Sequence, residues 1–270
     1  MGRHARPTGA ETGDVMGKLN DRIALITGGA GGIGIAAGKR FVAEGARVLL
    51  VDLEEATLRR AVGEVGERSA SYAVADVTRP EDVERYVATC VDRYGGIDVF
   101  LNNAGIEGVV MPIVDYPIDK FDRVIAVNVR GVWLGLKYVI PVMAKRGGGS
   151  IVIVSSVAGI HGYANVSAYV TSKHAVVGMM RTAALECAPL KVRVNTVNPA
   201  PIETRMMRSL ENGFAPGAAD AAKQQILQGI PMGRYGTPEE VANLMLFLAC
   251  DDSAYLTGGV YMVDGGISAV

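Results

Sequence analysis

The sequence predicts an α/β protein with a doubly wound, seven-stranded and mostly parallel sheet that carries helices on both faces. Two features lead to this prediction. Short strands made almost entirely of apolar and β-branched residues alternate with helical segments from Arg22 onwards, and a glycine-rich turn links the first strand to the first helix. Strands that are apolar on both faces are typical of parallel sheets buried between two layers of helices.

The predicted elements follow one another in a regular order. The last helix has Thr237 as its N-cap and Pro238 at its first helical position, and both residues are favoured there. The strands are, in order, "RIALITG", "RVLLVD", "SYAVADV", "IDVFLNNAG", "GSIVIVSS", "VRVNTVNP" and "GVYMVDGG". The helices are 33–44, an Ala-rich segment after the second strand, "RPEDVERYVATCVDRYGG", 118–145, 167–188 and "TPEEVANLMLFLAC".

We expect these elements to form one domain over residues 18–270, because no linker divides them. Residues 1–17 are polar and glycine-rich without an apolar core, which predicts a disordered extension rather than a secretory signal. Residues 200–229 are rich in Met, Pro and Gly and are predicted to be irregular. Long irregular segments in compact domains are often lids, so we expect a mobile flap there.

The bulk composition excludes several classes of function. Lys and Arg number 27 and Asp and Glu number 28, so the net charge is −1 and no basic stripe is available for nucleic acid. No apolar run approaches the length that spans a bilayer, so no membrane association is expected. Cys90, Cys187 and Cys250 are far apart and form no CxxC, which favours reduced thiols in a cytoplasmic protein without a metal site.

The stretch "ITGGAGGIG" holds five glycines in nine residues and links the first strand to the first helix. Without Cβ atoms, such a turn lets the backbone approach a pyrophosphate, which the N–H groups and dipole of the following helix then bind. Tight packing alone would also explain a glycine-rich turn. Three motifs fit the run: GxGxxG at Gly29, Gly31 and Gly34, GxxGxxG at Gly28, Gly31 and Gly34, and TGxxxGxG at Thr27, Gly28, Gly32 and Gly34.

Acidic residues stand at the ends of the second and third predicted strands. Asp52 lies 18 positions beyond Gly34, where a carboxylate accepts hydrogen bonds from an adenosine ribose and repels a 2′-phosphate. It therefore predicts NAD rather than NADP, with a solvated strand-end Asp as the alternative. Asp76 has a comparable position after the third strand and would bind the adenine edge.

Tyr169 and Lys173 in "YVTSK" lie four residues apart and therefore on one face of a predicted helix. A phenol titrates at about 10, and a neighbouring ammonium together with a positive nicotinamide ring would lower its pKa towards the working range of a base. Ser155 and Ser156 end the fifth strand at the edge of the sheet where ligands bind. One of these hydroxyls would align a substrate oxygen against Tyr169.

With these motifs, the chain resembles the short-chain dehydrogenase/reductase family over residues 18–270. The resemblance implies a Rossmann fold in the single-domain branch, the TGxxxGxG register of the glycine run, and a homotetramer built through the two long helices. The chain departs from the family at Ala200, where a glycine usually stands. The matching motifs are TGxxxGxG at 27–34, "DV" at Asp76, "NNAG" at 102–105, Asn128 in "VNVRG", Ser156 in "SSVAG", "YVTSK" and "TGGVYMVDGG".

The resemblance also implies roles for individual residues. Tyr169 would be the acid/base, and Lys173 would lower its pKa and bind the nicotinamide ribose. Ser156, rather than Ser155, would align the substrate, and Asn128 would hold a water that relays protons to Lys173. The implied cofactor-binding set is Gly28, Gly31, Gly32, Ile33, Gly34, Asp52, Leu53, Asp76, Val77, Asn103, Ala104, Gly105, Tyr169, Lys173, Pro199, Ile202 and Thr204.

The substrate is predicted from the flap and from the loop after the catalytic serine. An apolar inner face on the flap favours a hydrophobic alcohol or ketone of a cyclic, terpenoid or steroid-like kind. The alternative is that these residues only pack the flap onto the body. His161 would be either a second acid/base or, more often for such a residue, a hydrogen-bonded loop histidine. The candidate substrate residues are His161, Tyr163, Met206, Met207, Leu210 and Phe214.

Three functions are compatible with these motifs. The first is an NAD-dependent oxidoreductase that interconverts a hydrophobic secondary alcohol and its ketone. The second is a 3-oxoacyl-(acyl-carrier-protein) reductase, against which Asp52 argues because such enzymes commonly use NADPH. The third is a non-catalytic NAD(H) sensor, which the intact set of candidate catalytic residues disfavours.

Overall fold

The computed structural model describes residues 17–269 of the 270-residue chain. The disordered extension predicted for residues 1–17 therefore lies outside the described residues, except for Gly17. That glycine packs against the end of the first helix, because a Cβ atom there would collide with the backbone of Glu44. Its carbonyl accepts a hydrogen bond from the Asn20 N–H at 3.1 Å.

Within the described residues, seven strands form one sheet in the order β3-β2-β1-β4-β5-β6-β7, and every pairing is parallel. The predicted doubly wound Rossmann architecture is confirmed. The strand order reverses between β1 and β4, which opens a crevice at their carboxyl ends. The strands are β1 (Ile23–Thr27), β2 (Arg47–Asp52), β3 (Ala70–Val74), β4 (Val99–Asn102), β5 (Gly149–Val154), β6 (Val192–Pro199) and β7 (Val260–Val263).

Nine α-helices cover the described part of the chain between and beyond these strands. They are α1 (Gly32–Ala43), α2 (Glu55–Val65), α3 (Pro80–Tyr94), α4 (Ile118–Ile125), α5 (Val132–Arg146), α6 (Ser167–Cys187), α7 (Arg205–Phe214), α8 (Ala219–Gln228) and α9 (Pro238–Ala249).

The sheet carries a separate apolar core on each face, as its apolar strands predict. Alternate residues of β1 point to opposite faces, so Ala24 and Ile26 join one core and Ile23 and Leu25 join the other. The first core packs α1, α2 and α9 onto the sheet, and the second packs α3, α5 and α6 onto it. Both layers hold the carboxyl ends of the strands in fixed positions.

Local signals in the sequence account for several helix ends. Before α9, the Thr237 side chain accepts a hydrogen bond from the Glu240 N–H at 3.3 Å, and the Glu240 carboxylate accepts one from the Thr237 N–H at 2.9 Å. This reciprocal capping box satisfies two N–H groups that the helix itself cannot pair. Gly95 ends α3 in the left-handed region with φ of 92°, a conformation that glycine adopts without strain.

The segment predicted to be an irregular flap is instead mostly helical. Within 200–229, α7 and α8 occupy twenty residues, ten in each helix. Thr204 caps α7 because its hydroxyl accepts a hydrogen bond from the Met207 N–H at 3.4 Å. The expectation of an irregular segment was therefore wrong, because capping and packing over the sheet edge order residues whose composition resembles that of a loop.

The long helix predicted for 118–145 is a continuous helical run with a change of winding in the middle. A π-helical segment, Ala126–Gly131, separates α4 from α5. By length and composition alone, the run Ile118–Arg146 could cross a membrane, contrary to the expectation that no apolar run approaches that length. Half of its most apolar window is buried inside the domain, so packing in the core accounts for its apolar character.

Candidate active site

The glycine turn follows β1 and brings the backbone to the mouth of the crevice. Gly28 has φ of +64°, and a Cβ atom there would lie 2.8 Å from the Asn103 amide nitrogen. A Cβ atom on Gly34 would collide with the carbonyl oxygen of Gly28. These two glycines are therefore required by the turn itself. Gly32 differs, because a Cβ atom there would reach its first neighbour, Thr204, at an ordinary 3.5 Å.

The start of α1 lies behind this turn and offers unpaired N–H groups. Gly31 is the N-cap and has no side chain to satisfy them. The Asn103 side chain fixes the turn by donating to the carbonyls of Thr27 and Gly28 at 2.9 and 3.1 Å. A Gly-lined turn in front of a helix N-terminus is the cradle that a pyrophosphate requires, so these residues fit a dinucleotide.

A cavity of about 310 Å³ extends from the glycine turn along the carboxyl ends of β2 and β4. Most of the predicted cofactor residues line it: Gly28, Gly31, Gly32, Ile33, Asp52, Leu53, Asp76, Val77, Asn103, Ala104, Gly105 and Thr204. The sequence did not single out Val51, Ala75, Ile106, Arg123, Val127 and Arg205, which also line it. Gly34 stands behind the turn rather than in this cavity wall.

Asp52 is held at the rim of this cavity by two backbone groups. Its carboxylate accepts hydrogen bonds from the Ala30 N–H at 3.1 Å and from the Leu53 N–H at 2.8 Å. The first of these bonds ties the end of β2 to the glycine turn. Asp52 therefore has a structural role in the turn, and its binding of an adenosine ribose stays a prediction.

Asp76 lies two residues beyond the end of β3 rather than on the strand. Its carboxylate accepts hydrogen bonds from the N–H and hydroxyl of Thr78 at 2.9 and 2.7 Å. Arg123 approaches the same carboxylate at 3.8 Å. The arrangement keeps Asp76 and Val77 at the cavity wall, as predicted.

The catalytic candidates meet where β5 and α6 reach the edge of the sheet. Lys173 is 5% exposed, and its ammonium donates a hydrogen bond to the carbonyl of Val154 at 2.9 Å. The same nitrogen lies 5.4 Å from the centroid of the Tyr169 ring. The structure thus places the tyrosine and the lysine side by side, as their spacing of four positions on one helix predicts.

Burial dominates the ionisation of both groups. It raises the pKa of Tyr169 to about 12, an effect that the Ser156 hydroxyl opposes and the charge of Glu107 strengthens. It lowers the pKa of Lys173 to about 8. Within the chain alone, the shift at Tyr169 is therefore upward. This direction is opposite to the expected effect of a neighbouring ammonium, because desolvation of the phenolate is the largest cause of the shift.

The two serines at the end of β5 point in different directions, as neighbouring strand residues do. The Ser155 hydroxyl donates to the backbone carbonyl of Lys173 at 3.0 Å, so it links the end of β5 to α6. The Ser156 hydroxyl donates to the carbonyl of Pro199 at 3.3 Å and lies near enough to Tyr169 to oppose the rise in the pKa of its phenol. Ser156 is thus the serine that adjoins the tyrosine, as predicted.

Asn128 lies in the π-helical segment and is 1% exposed. Its amide nitrogen donates to the Ile106 carbonyl at 2.9 Å and to the Ser172 hydroxyl at 3.0 Å, while its oxygen accepts from the Ile106 N–H at 2.8 Å. Both amide hydrogens are therefore engaged. A water held by Asn128 would therefore have to donate to an oxygen of this residue, either the second lone pair of its amide oxygen or its backbone carbonyl.

A second cavity, of about 400 Å³, lies between these residues and the two flap helices. Five of the six candidate substrate residues line it: Tyr163, Met206, Met207, Leu210 and Phe214. His161 does not, because its ring is hydrogen-bonded to the Ser268 hydroxyl at 3.3 Å. This hydrogen bond fits the alternative of a bonded loop histidine, and a contact of His161 with the substrate stays a prediction.

Several lining residues of this second cavity were missed by the sequence. The turn after β5 contributes Val157 and Ala158. Helix α8 contributes Gln225 and Ile226, and the C-terminal segment contributes Ile267. The spacing of Gln225 and Ile226 on α8 could have been recognised only once that segment was assigned as a helix. Pro199 and Ile202 were predicted to bind the cofactor. They line this second cavity, together with Ala200, and not the first.

The two cavities share part of their walls. Ile33, Asn103, Gly105, Thr204 and Met206 line both of them. A ligand that extends from the glycine turn would therefore reach the space beside Tyr169. Within residues 17–269, no group of three or more His, Cys, Asp or Glu side chains could hold a metal ion.

Comparison with known proteins agrees with this geometry. A family model described as enoyl-(acyl carrier protein) reductase, within the short-chain dehydrogenases/reductases, matches residues 28–268. Levodione reductase of Leifsonia aquatica is 39% identical over 256 residues, which are 93% of this chain and 96% of that protein. The 3-oxoacyl-(acyl-carrier-protein) reductase FabG of Thermotoga maritima is 40% identical over 93% of this chain and 99% of its own length. Cyclohexanol dehydrogenase of Acinetobacter sp. strain SE19 is 34% identical over 93% and 97%.

Solved structures give the same result. The crystal structure of levodione reductase aligns with a TM-score of 0.92 at 39% identity, over 93% of this chain and 99% of that one. That of NAD⁺-bound xylitol dehydrogenase aligns with a TM-score of 0.88 at 36% identity, over 92% and 100%. The chain belongs to the short-chain dehydrogenase/reductase family. It is an oxidoreductase of alcohols and ketones that uses a nicotinamide cofactor.

Proposed function

We propose that this protein is an NAD-dependent oxidoreductase that interconverts a hydrophobic, cyclic secondary alcohol and its ketone. The observation that carries this proposal is the apolar cavity beside Ser156, Tyr169 and Lys173, which shares its wall with the glycine-turn cavity. Cyclohexanol dehydrogenase, a relative at 34% identity, is named for a substrate of this kind. The flap residues Met206, Met207, Leu210 and Phe214 supply apolar surface that suits such a ring.

Asp52 is the basis for proposing NAD rather than NADP. Its carboxylate is fixed at the rim of the first cavity by the Ala30 and Leu53 N–H groups. Its remaining lone pairs can accept hydrogen bonds from two ribose hydroxyls, whereas a 2′-phosphate in that place would meet a fixed negative charge. The NAD⁺-bound state of xylitol dehydrogenase, a structural relative, agrees with this preference.

The proposed mechanism assigns one task to each polar group. In oxidation, Tyr169 would take the hydroxyl proton of the alcohol as the carbinol carbon loses a hydride. A bound nicotinamide cofactor would supply the acceptor for that hydride and a positive charge. Ser156 holds the substrate oxygen against Tyr169. Lys173, charged at neutral pH because its pKa is about 8, favours the phenolate. Glu107 has the opposite effect on Tyr169.

A second candidate is reduction of a 3-oxoacyl thioester with NADPH. The relative from Thermotoga maritima, 40% identical over 99% of its length, favours this reading. Asp52 argues against it for the reason given above. The third possibility, an NAD(H) sensor without catalysis, would require that Tyr169 and Lys173 have no chemical role.

We further propose that the chain assembles as a homotetramer in the cytoplasm. Leu185 on α6 is 80% exposed and Trp133 on α5 is 49% exposed, which supports association through these two helices. The three cysteines are free and buried, in keeping with a reducing compartment. Sedimentation velocity of the purified protein would give the assembly state, and a monomer at micromolar concentration would contradict the proposal.

The test of function combines two coenzymes with a substrate panel. Purified protein is mixed with NAD or NADP and with cyclohexanols, monoterpenols, hydroxysteroids or 3-hydroxyacyl thioesters, and nicotinamide absorbance is followed. We expect reduction of NAD by a cyclic alcohol. Turnover confined to NADP(H) and acyl thioesters would favour the second candidate. Coenzyme binding by calorimetry without turnover of any substrate would favour the sensor.

A further inference from the structure

The first turn of α7 carries a positive charge where a helix does not favour one. Arg205 is the first residue of α7, and that turn holds no acidic residue. The dipole of a helix is positive at its N-terminus, so a cation there is unfavourable unless an anion lies nearby. Arg205 is exposed, and its guanidinium forms no hydrogen bond or ion pair within the described part of the chain. Its charge is therefore unbalanced in the protein alone.

The other cations of the flap are paired with carboxylates. Residues 200–229 contain Arg205, Arg208 and Lys223. Arg208 lies 2.7 Å from the Glu203 carboxylate, and Lys223 contacts the same carboxylate. Packing of the flap helices onto each other thus accounts for two of the three cations and leaves Arg205 without a role.

Arg205 lies at the first cavity, beside the glycine turn. The starts of α1 and α7 adjoin, because a Cβ atom on Gly32 would reach the Thr204 methyl group at 3.5 Å. Arg205 and Arg123 are the cations that line this cavity, and Arg123 lies 3.8 Å from the Asp76 carboxylate. The glycine turn itself contains no Lys or Arg. An anion bound at the turn would therefore have Arg205 as the unpaired cation of the cavity wall.

We infer that Arg205 binds the pyrophosphate of the coenzyme and thereby couples coenzyme binding to the position of the flap. A pyrophosphate carries two negative charges, and a guanidinium offers it paired N–H donors. Because Arg205 belongs to α7, this contact joins the bound dinucleotide to the helix that covers the second cavity. NAD and NADP share the pyrophosphate, so the assignment does not depend on the coenzyme preference or the substrate proposed above.

The test separates the pyrophosphate from the rest of the coenzyme by binding measurements. Calorimetry gives the dissociation constants of NADH (or NADPH, if it binds more tightly) and of ADP-ribose, which has the pyrophosphate but no nicotinamide. Competition gives that of adenosine, which has neither. The variants are Arg205→Gln, Arg205→Lys and the control Arg60→Gln, which removes the same charge from an exposed position on α2 outside both cavities.

We expect Arg205→Gln to weaken the binding of coenzyme and of ADP-ribose by about threefold to thirtyfold, the effect of a charge-assisted hydrogen bond partly screened by water. High salt should reduce this loss, and adenosine should bind as before. Arg205→Lys should recover part of the affinity, and Arg60→Gln should bind like the wild type. Ligand-free Arg205→Gln should melt no lower than the wild type, because it loses an unfavourable charge from a helix N-terminus.

Hydrogen exchange of the α7 amides tests the coupling to the flap. Saturating coenzyme should slow this exchange in the wild type and in Arg60→Gln, and slow it less in Arg205→Gln. Equal protection in Arg205→Gln and the wild type would overturn the coupling. Unchanged affinities in Arg205→Gln, or an equal loss for adenosine, would overturn the pyrophosphate contact and leave the proposed function intact. A wild-type protein that binds coenzyme as expected but oxidises no alcohol would contradict the proposed function and not this inference.

Discussion

Replacing Asp52 by Asn should change which coenzyme the protein prefers. The substitution removes the negative charge at the rim of the first cavity and keeps the size of the side chain. At a separation of about 4 Å and an effective dielectric constant of about 20, each unit of 2′-phosphate charge is repelled by about 4 kcal/mol. Asp52 is only partly buried, so salt screening reduces this figure. We expect an effect of about 1.5–3 kcal/mol, or roughly tenfold to hundredfold.

The hydrogen bonds of Asp52 predict a second consequence of the same change. The carboxylate accepts from both Ala30 N–H and Leu53 N–H, and an amide has one oxygen to offer them. The glycine turn therefore loses one charge-assisted bond, so kcat/KM with NAD should fall by up to about tenfold. The ratio of kcat/KM for NADP to that for NAD should rise by about tenfold to hundredfold in total.

The measurement is steady-state kinetics with both coenzymes at two salt concentrations. Asp76→Asn is the control, because this carboxylate lines the same cavity but faces Thr78 and Arg123, and it should alter both coenzymes alike. Higher salt should narrow the wild-type preference for NAD and leave that of Asp52→Asn unchanged. A coenzyme ratio that is the same in Asp52→Asn and in the wild type would refute the electrostatic reasoning.

Three further predictions follow from the site and the fold. Tyr169→Phe should lower kcat by at least about a thousandfold, with Tyr255→Phe, a fully exposed tyrosine, as the unaffected control. Because Lys173 has a pKa of about 8 in the fold against 10.5 unfolded, the unfolded chain binds more protons between these values. Stability should therefore rise with pH from 8 to about 10, by an amount on the order of 3 kcal/mol or less, and denaturant titrations of Lys173→Met should lack this rise. Gly34→Ala should destabilise the protein or prevent folding, whereas Gly63→Ala, where a Cβ atom meets nothing, should raise stability by about 0.5–1 kcal/mol in thermal or chemical melts.

The strands and the first glycine turn could be predicted because their signals are local. Apolar strands bounded by polar turns leave few alternatives to a parallel sheet, and Gly28 and Gly34 are required by contacts within the turn itself. The helices of the flap were harder to predict from the sequence. Met206, Leu210 and Phe214 have helical spacing, but Gly213, Pro216 and Gly217 obscure it, as they are common in loops.

Tertiary contacts that no local pattern reveals join the two flap helices. Glu203 lies 2.7 Å from Arg208 and 2.5 Å from Lys223, so it joins the start of α7 to α8. The upward shift in the pKa of Tyr169 within the chain alone was not predictable for a related reason. A neighbouring lysine is visible in the sequence, but the burial that raises the phenol pKa depends on residues from several distant elements.

The start of α7 has a kinetic consequence. Thr204, Arg205 and Met206 form its cap and first turn, and all three line the first cavity, while later turns of the same helix cover the second. A ligand in the first cavity therefore contacts the first turn of the helix that covers the second cavity. We therefore expect ordered binding, in which the coenzyme enters first and leaves last. The start of α7 is the reason, because a bound coenzyme contacts the helix that covers the substrate cavity.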